Sequence, residues 1–315
     1  MTTYRLIQSV PVKEIDVESE NYCFDFVPRL SNGETIALFP PVLYSEKGRL
    51  QPILGRNQLH RSREKTSVLD SALVLEGTSL GLETVLFSIS LKQSLGGFSV
   101  VEKSLALRRL HSLSGTEDGE ILTDIGIPRH GPTIQNMITL ADSPVEIKEL
   151  VHRGELHENT AFEIFRFEKD LWLELALFIS KLGVGTKKRN EILSMLGSIS
   201  RRDQRSVPDI LEDPDIRVIL QRKNIDPPQR AEILYHHLKD LRYPSIREFR
   251  QRFDRKRKAV HLNRPLQLVL PENFERWQFK LVIPFSSTEE FQQCIEELRG
   301  TAESSAFRDL MDMRF

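Results

Sequence analysis

Cysteine is nearly absent: Cys23 and Cys294, almost the whole chain apart, are the only two in 315 residues. A disulfide framework or a zinc ribbon needs thiols paired at short spacing, so neither is expected. Long hydrophobic runs are missing as well. No stretch approaches the roughly 18 apolar residues of a spanning helix. The start, Met1-Thr2-Thr3-Tyr4-Arg5-Leu6, lacks an apolar signal core and a small-residue cleavage site, so a cytoplasmic protein with no membrane partner is expected. An excess of one charge is lacking too, with 44 Lys and Arg against 45 Asp and Glu. That balance argues against coating a polyanion by bulk attraction, but leaves room for a local basic face. Internal repeats, a Ser/His/Asp order, a nucleophile elbow and a Walker glycine loop are all missing, so no catalytic residue is predicted. What remains is an ordinary soluble composition, 39% hydrophobic and 28% charged, over a length that suits two or three domains.

Residues 1–90 carry mostly strand and turn signals. Ile36 to Phe39 runs into Pro40-Pro41, and Val42-Leu43-Tyr44 is separated from Leu50 to Gly55 by Lys47-Gly48, which predicts a hairpin. Pro52 demotes the second arm to an edge strand or a bulge. Thr84 to Ser90 reads as a further strand. From about residue 98 the period becomes helical: Ser99 stands three residues before Glu102 in capping-box register, and Leu105, Leu107 and Leu110 follow. Helices are expected at about 117–125, 132–141, 144–152, 158–166, 170–182 and 187–197, separated by Gly126, Pro128, Asp142, Gly154 and Gly183-Val184-Gly185. The stretch 208–242 reads as helix broken at Pro214 and Pro227-Pro228. A basic helix then runs to Lys258, with Ser245 and Glu248 in capping-box register. Strands at 266–270 and 279–283 and a helix from Ser287 to Leu298 close the chain. The fold class expected is α+β: a small α+β domain at 1–97, an all-helical domain at 98–200, a helical linker with the basic helix at 201–260, and a β-β-α dimerisation or docking unit at 261–315.

Ile121 to Pro128 ends one short helix at a glycine turn, and Pro132 to Leu140 starts another. That is the outline of a helix-turn-helix, whose second helix enters the major groove of DNA. Thr133, Gln135 and Asn136 suit base edges, Gln or Asn pairing bidentately with adenine. Arg129 and His130 precede that helix, placed for phosphate or base contact. Ile134, Met137, Ile138 and Leu140 form the inward face. Two short helices around a glycine are also a common packing unit with no DNA role.

The order and spacing of these pieces add a resemblance. Ile121 to Leu196 resembles the central DNA-binding domain of ParB and KorB partition proteins. There the recognition helix ends in Val/Ile-x-Asn, held here by Ile134-Gln135-Asn136. Leu140 to Val151, Gly154-Glu155-Leu156, Asn159 to Ile164 and Leu182 to Glu191 resemble the segments that follow. Upstream, Phe39 to Tyr44 and Gly48 to Gly55 resemble the family's N-terminal domain, where a Gly-x-Arg-Arg box helps bind CTP in active members. The box here reads Gly55-Arg56-Asn57-Gln58-Leu59-His60-Arg61, with Asn57 and Gln58 at the two arginine positions and Arg56 and Arg61 nearby. A second box, Glu-Asn-x-x-Arg, has no counterpart in Leu91-Lys92-Gln93-Ser94-Leu95. Triphosphate binding needs cations at the phosphates and a group to hold metal or water.

The resemblance implies a non-catalytic, sequence-specific DNA-binding protein acting in partition or transcriptional regulation. Double-stranded DNA is its partner, with a homodimer on paired half-sites, a bacterial nucleoid-associated location and a partition ATPase as a further partner. No cofactor is expected; a CTP- and Mg-dependent clamp with CTPase activity, using Gly55, Arg56 and Arg61, is the enzyme alternative. A protein-docking scaffold without DNA is the other. Lys187, Lys188 and Arg189 at a helix start, and the run Arg247 to Arg264, read either as phosphate contacts or as solvated faces. His236-His237 point about 100° apart on a helix and have no third ligand near in sequence, so no metal site is predicted. Asp16, Glu18 and Glu20 read as surface charge.

Overall fold

The computed structural model describes residues 3–26, 39–46, 48–76, 81–114, 122–123, 125–127, 131–222, 224–260, 262, 266–269 and 279–313. Its first strand, β1 (Thr3–Pro11), ends at a proline and gives way to a 3-10 turn, Val12–Glu14. The hairpin β2 (Val42–Glu46) and β3 (Arg49–Leu54) forms where the sequence places it, with Gly48 at φ +83 in its turn. Helix α1 (Arg56–Lys65) then leads to β4 (Val68–Glu76). The sheet order is β1-β4-β2-β3, antiparallel except for β2 against β4. Pro52 therefore lies in an edge strand, and the pairing shifts register between Val42 and Leu43, opposite it. Both follow from a residue with no N–H to give a ladder.

Val10, Val12, Leu43, Leu59, Ala72 and Val74 pack one core from the sheet, the turn and α1. The predicted strand at Thr84 to Ser90 is instead part of a helix, α2 (Leu82–Ser94). Its buried residues, Thr84, Val85, Ser88 and Ile89, repeat with the period of a helical face rather than the two-residue period of a strand. The β-branched run misled because propensity is weaker than that spacing.

Helices then follow in quick succession: α3 (Val100–Ser114), α4 (Gly131–Asp142), α5 (Val145–His152), α6 (Glu158–Ile164), α7 (Trp172–Ser180) and α8 (Thr186–Asp203). Ser99 and Glu102 close the capping box expected before α3: Glu102 N–H donates to Ser99 Oγ at 3.3 Å and Ser99 N–H to Glu102 Oε2 at 2.9 Å. The chain divides into two compact units, Met1–Ser194 and Met195–Phe315.

In the second unit the prolines begin helices rather than merely break them. Pro208 stands in the first turn of α9 (Val207–Leu211), Pro214 opens α10 (Pro214–Gln221) and Pro227 opens α11 (Pro227–Arg242). Proline's fixed φ suits the first helical turn, where an N–H would be unpaired anyway. Pro244 likewise opens the basic helix α12 (Pro244–Ala259). That start corrects the expected Ser245–Glu248 capping box: Tyr243 is the N-cap and makes no side-chain capping bond. Phe249 and Phe253 of α12 are buried with Val260, Leu268, Leu310 and Met313. Strands β5 (Gln267–Val269) and β6 (Lys280–Val282) pair antiparallel. Helix α13 (Thr288–Glu303) starts at the expected Ser287, whose hydroxyl accepts from Glu290 N–H at 3.1 Å. A further helix, α14 (Ser305–Met311), was not anticipated. The architecture is α+β. No described helix is long and apolar enough to cross a membrane.

Candidate nucleic-acid interface

Leu122 and Thr123 are helical, and Gly126 adopts φ +69 immediately after. Gly126 N–H donates to Thr123 C=O at 2.9 Å and Ile127 N–H to Leu122 C=O at 2.8 Å. This is the paired bonding of a Schellman stop, with Leu122 and Ile127 both buried. The expected helix at 117–125 otherwise lies outside the described residues, as do Arg129 and His130.

Helix α4 buries Ile134, Met137, Leu140 and Ala141. Ile138, expected to face inward, is half-buried. Gln135 is exposed, and Thr133 and Asn136 are half-buried. Successive helical residues turn by about 100°, which puts Gln135 on the outward face, Asn136 beside it, and Thr133 at the margin of the buried side. The sequence thus supplies a firm apolar seat for α4 and leaves amide side chains outside it. Among the described residues, none of those three side chains has a hydrogen-bond partner.

The basic residues at the start of α8 separate. Lys187 is exposed and Lys188 half-buried. Arg189 turns into the fold: Nη1 donates to Glu155 C=O at 2.7 Å and Nη2 to Ser180 C=O at 3.2 Å. Ser180 ends α7, so the guanidinium sits on a helix C-terminus, where a cation is favoured. Burial lowers the Arg189 pKa from its ordinary value.

The nucleotide candidates separate as well. Gly55 holds φ +90, and a Cβ there would stand 3.1 Å from the Pro41 backbone. Arg56 is buried; its Nη2 donates to the carbonyls of Ser19 and Cys23. Arg61 lies elsewhere, lining a cavity of about 490 Å³ with Phe39, Gln58, Lys65 and Asp70. The N-terminus of α1, the natural place for a phosphate, is filled by the chain itself. Asp25 Oδ2 accepts from Gly55 N–H at 2.7 Å and Arg56 N–H at 3.0 Å.

Lys92 pairs with the other oxygen of Asp25 and reaches Glu102 at 2.8 Å. Burial would raise the Asp25 carboxyl, but Lys92 and the two N–H groups bring it below its ordinary value. Burial would lower the Lys92 ammonium, and the two carboxylates hold it above its own. Burial pushes the Cys23 thiol up to about 12, with Asp25 adding to the effect. Sequence reading missed this group, because 67 residues separate Asp25 from Lys92. The capping box before α3 was the one local signal, and it located Glu102 alone. Helix packing also brings Asp213 and Asp215 close to His237, with ligand atoms within 4.8 Å of one another. Asp213 is the N-cap of α10, accepting from Asp215 N–H at 3.2 Å.

No family model matches the chain, and no curated protein does. Among solved structures it is similar to C-terminally truncated chromosome-partitioning protein ParB from Caulobacter crescentus. The complex with the centromeric parS site is 18% identical, with a TM-score of 0.30 over 58% of this chain and 97% of that one. The complex with CTP-gamma-S is 16% identical, with a TM-score of 0.21 over 55% of this chain and 98% of that one. Likeness of this size assigns neither activity nor ligand.

Proposed function

We propose that this protein is a non-catalytic, sequence-specific DNA-binding protein of the ParB and KorB kind, reading the major groove through α4. One observation carries the reading: α4 follows a glycine-stopped helical turn, buries its apolar face, and leaves Gln135 exposed and Asn136 half-buried, with no competing partner for either among the described residues. Those amides match the donor and acceptor pattern of adenine in the major groove. Lys187 and Lys188 supply phosphate contacts, and Arg129 and His130 lead into the recognition helix. Two copies bind paired half-sites, associating through the β-β-α unit, because paired sites raise affinity and selectivity together. The protein acts on the bacterial nucleoid in the cytoplasm, and a partition ATPase is its further partner.

A CTP-gated clamp is disfavoured by the Asp25 carboxylate on the N–H groups of Gly55 and Arg56, and by the separation of Arg56 from Arg61. The test is sequencing of random duplexes retained by the purified protein at two salt concentrations. A consensus that persists at the higher salt supports base reading; retention without a consensus overturns it. Titration calorimetry with CTP and Mg²⁺, with and without DNA, addresses the clamp: saturable binding that Arg61→Ala removes would overturn the non-catalytic reading.

A further inference from the structure

We propose that the outward face of α12 is a second nucleic-acid site, holding the phosphodiester backbone without regard to sequence. It shares its ligand class with the reading above but none of its residues. The chain balances 44 cations against 45 carboxylates, yet α12 concentrates seven Lys and Arg against Glu248 and Asp254 alone. The structure sorts those seven. Arg250 pairs with Asp240 at 3.5 Å, Arg257 with Asp254 at 3.1 Å, and Lys256 donates to Asp309 C=O at 2.7 Å. Arg247, Arg255 and Lys258 are exposed and have no partner among the described residues. Arg252 lies over the Phe249 ring, 5.6 Å from its centroid, and is also exposed.

At about 100° per residue, Arg247, Arg255 and Lys258 share the side opposite Phe249 and Phe253, with Arg252 at its margin; Glu248 and Asp254 stand on the same side, Asp254 paired with Arg257, so cations outnumber carboxylates there without excluding them. From Arg247 to Lys258 the stripe runs roughly 16 Å at 1.5 Å per residue. That is the span of about five phosphates along one DNA strand. A membrane surface suits the stripe poorly. Amphipathic membrane helices bury their apolar side in lipid, whereas Phe249 and Phe253 are fully committed to the unit's own core.

The experiment measures fluorescence anisotropy of a random-sequence duplex with the full chain across a salt series. The variant Arg247→Gln/Arg255→Gln/Lys258→Gln changes only exposed side chains, and its melting curve checks folding. Loss of three phosphate contacts should reduce the slope of log affinity against log salt by about 2.7. At moderate salt the affinity should fall tenfold or more. Arg250→Gln should leave the slope in place. An unchanged slope in the triple variant, an equal drop in Arg250→Gln, undetectable binding of random duplex by the parent, or full competition by anionic vesicles would each overturn the proposal. Gln135→Ala/Asn136→Ala should not alter the random-duplex slope, so failure at α4 and failure at α12 are read separately.

Discussion

Replacing Asp25 by alanine removes one carboxylate, strands two backbone donors and takes one of two partners from Lys92. Gly55 N–H and Arg56 N–H lose their acceptor, and Lys92 keeps Glu102 as its remaining carboxylate partner. The Lys92 and Asp25 side chains are only 11% and 9% exposed, so water cannot replace the lost group cheaply. Breaking a buried pair from one side costs about 3–5 kcal/mol. For a unit of this size that lowers the melting temperature by roughly 6–20 °C. Asp25→Asn keeps an acceptor for the two N–H groups and loses the attraction to Lys92, so it should fall between alanine and the parent. The alanine variant also opens the α1 N-terminus to an outside anion. Formate or inorganic phosphate should therefore raise the melting temperature of the variant more than that of the parent. Thermal unfolding followed by near-UV circular dichroism reads both effects. A loss below about 1 kcal/mol, the range of an exposed pair, together with no anion rescue, would refute the reasoning.

Three further outcomes follow from the same contacts. The Asp25 carboxyl is held below its ordinary value of 3.8, so its contribution is full above that pH and is lost as the pH falls through the lower folded value. Urea midpoints of parent and Asp25→Asn should accordingly converge only below pH 3.8. Gly126→Ala forces a Cβ onto φ +69 and should cost about 1–2 kcal/mol in urea unfolding; the flexible tip of Lys103 nearby can move aside. Phe253→Ala, which empties a fully buried site stacked on Phe279 at 5.7 Å, should cost about 3–5 kcal/mol, read from calorimetric melting.

The legible parts of this fold are those whose signals are local. Lys47-Gly48 and Pro52 announced the hairpin, its edge position and its irregular register within a dozen residues. Ser99 and Glu102 announced α3, and Gly126 announced the turn before α4. The seat of α4 was readable because Ile134, Met137 and Leu140 recur at helical spacing around polar residues. Errors arose where two local signals competed. Val85, Leu86 and Ile89 have strand-like chemistry in a helical register, and Ser245 offered a cap that Pro244, one residue earlier, made redundant. Helix α1 hid because it buries little besides Arg56 and Leu59, which leaves hardly any apolar stripe to see. The Asp25, Lys92 and Glu102 group was out of reach for a different reason. Its members meet only through tertiary packing, and no spacing rule connects them. The same holds for Arg189, whose place in a basic triplet gave no sign that it satisfies two carbonyls inside the fold.

The most direct measurement compares the affinity of parent, Gln135→Ala and Asn136→Ala for the selected duplex and for a scrambled one. Each lost base contact should weaken the selected duplex by about 1–3 kcal/mol, up to about a hundredfold, and leave the scrambled duplex unchanged. Equal losses on both duplexes, or none on either, would contradict base reading by α4.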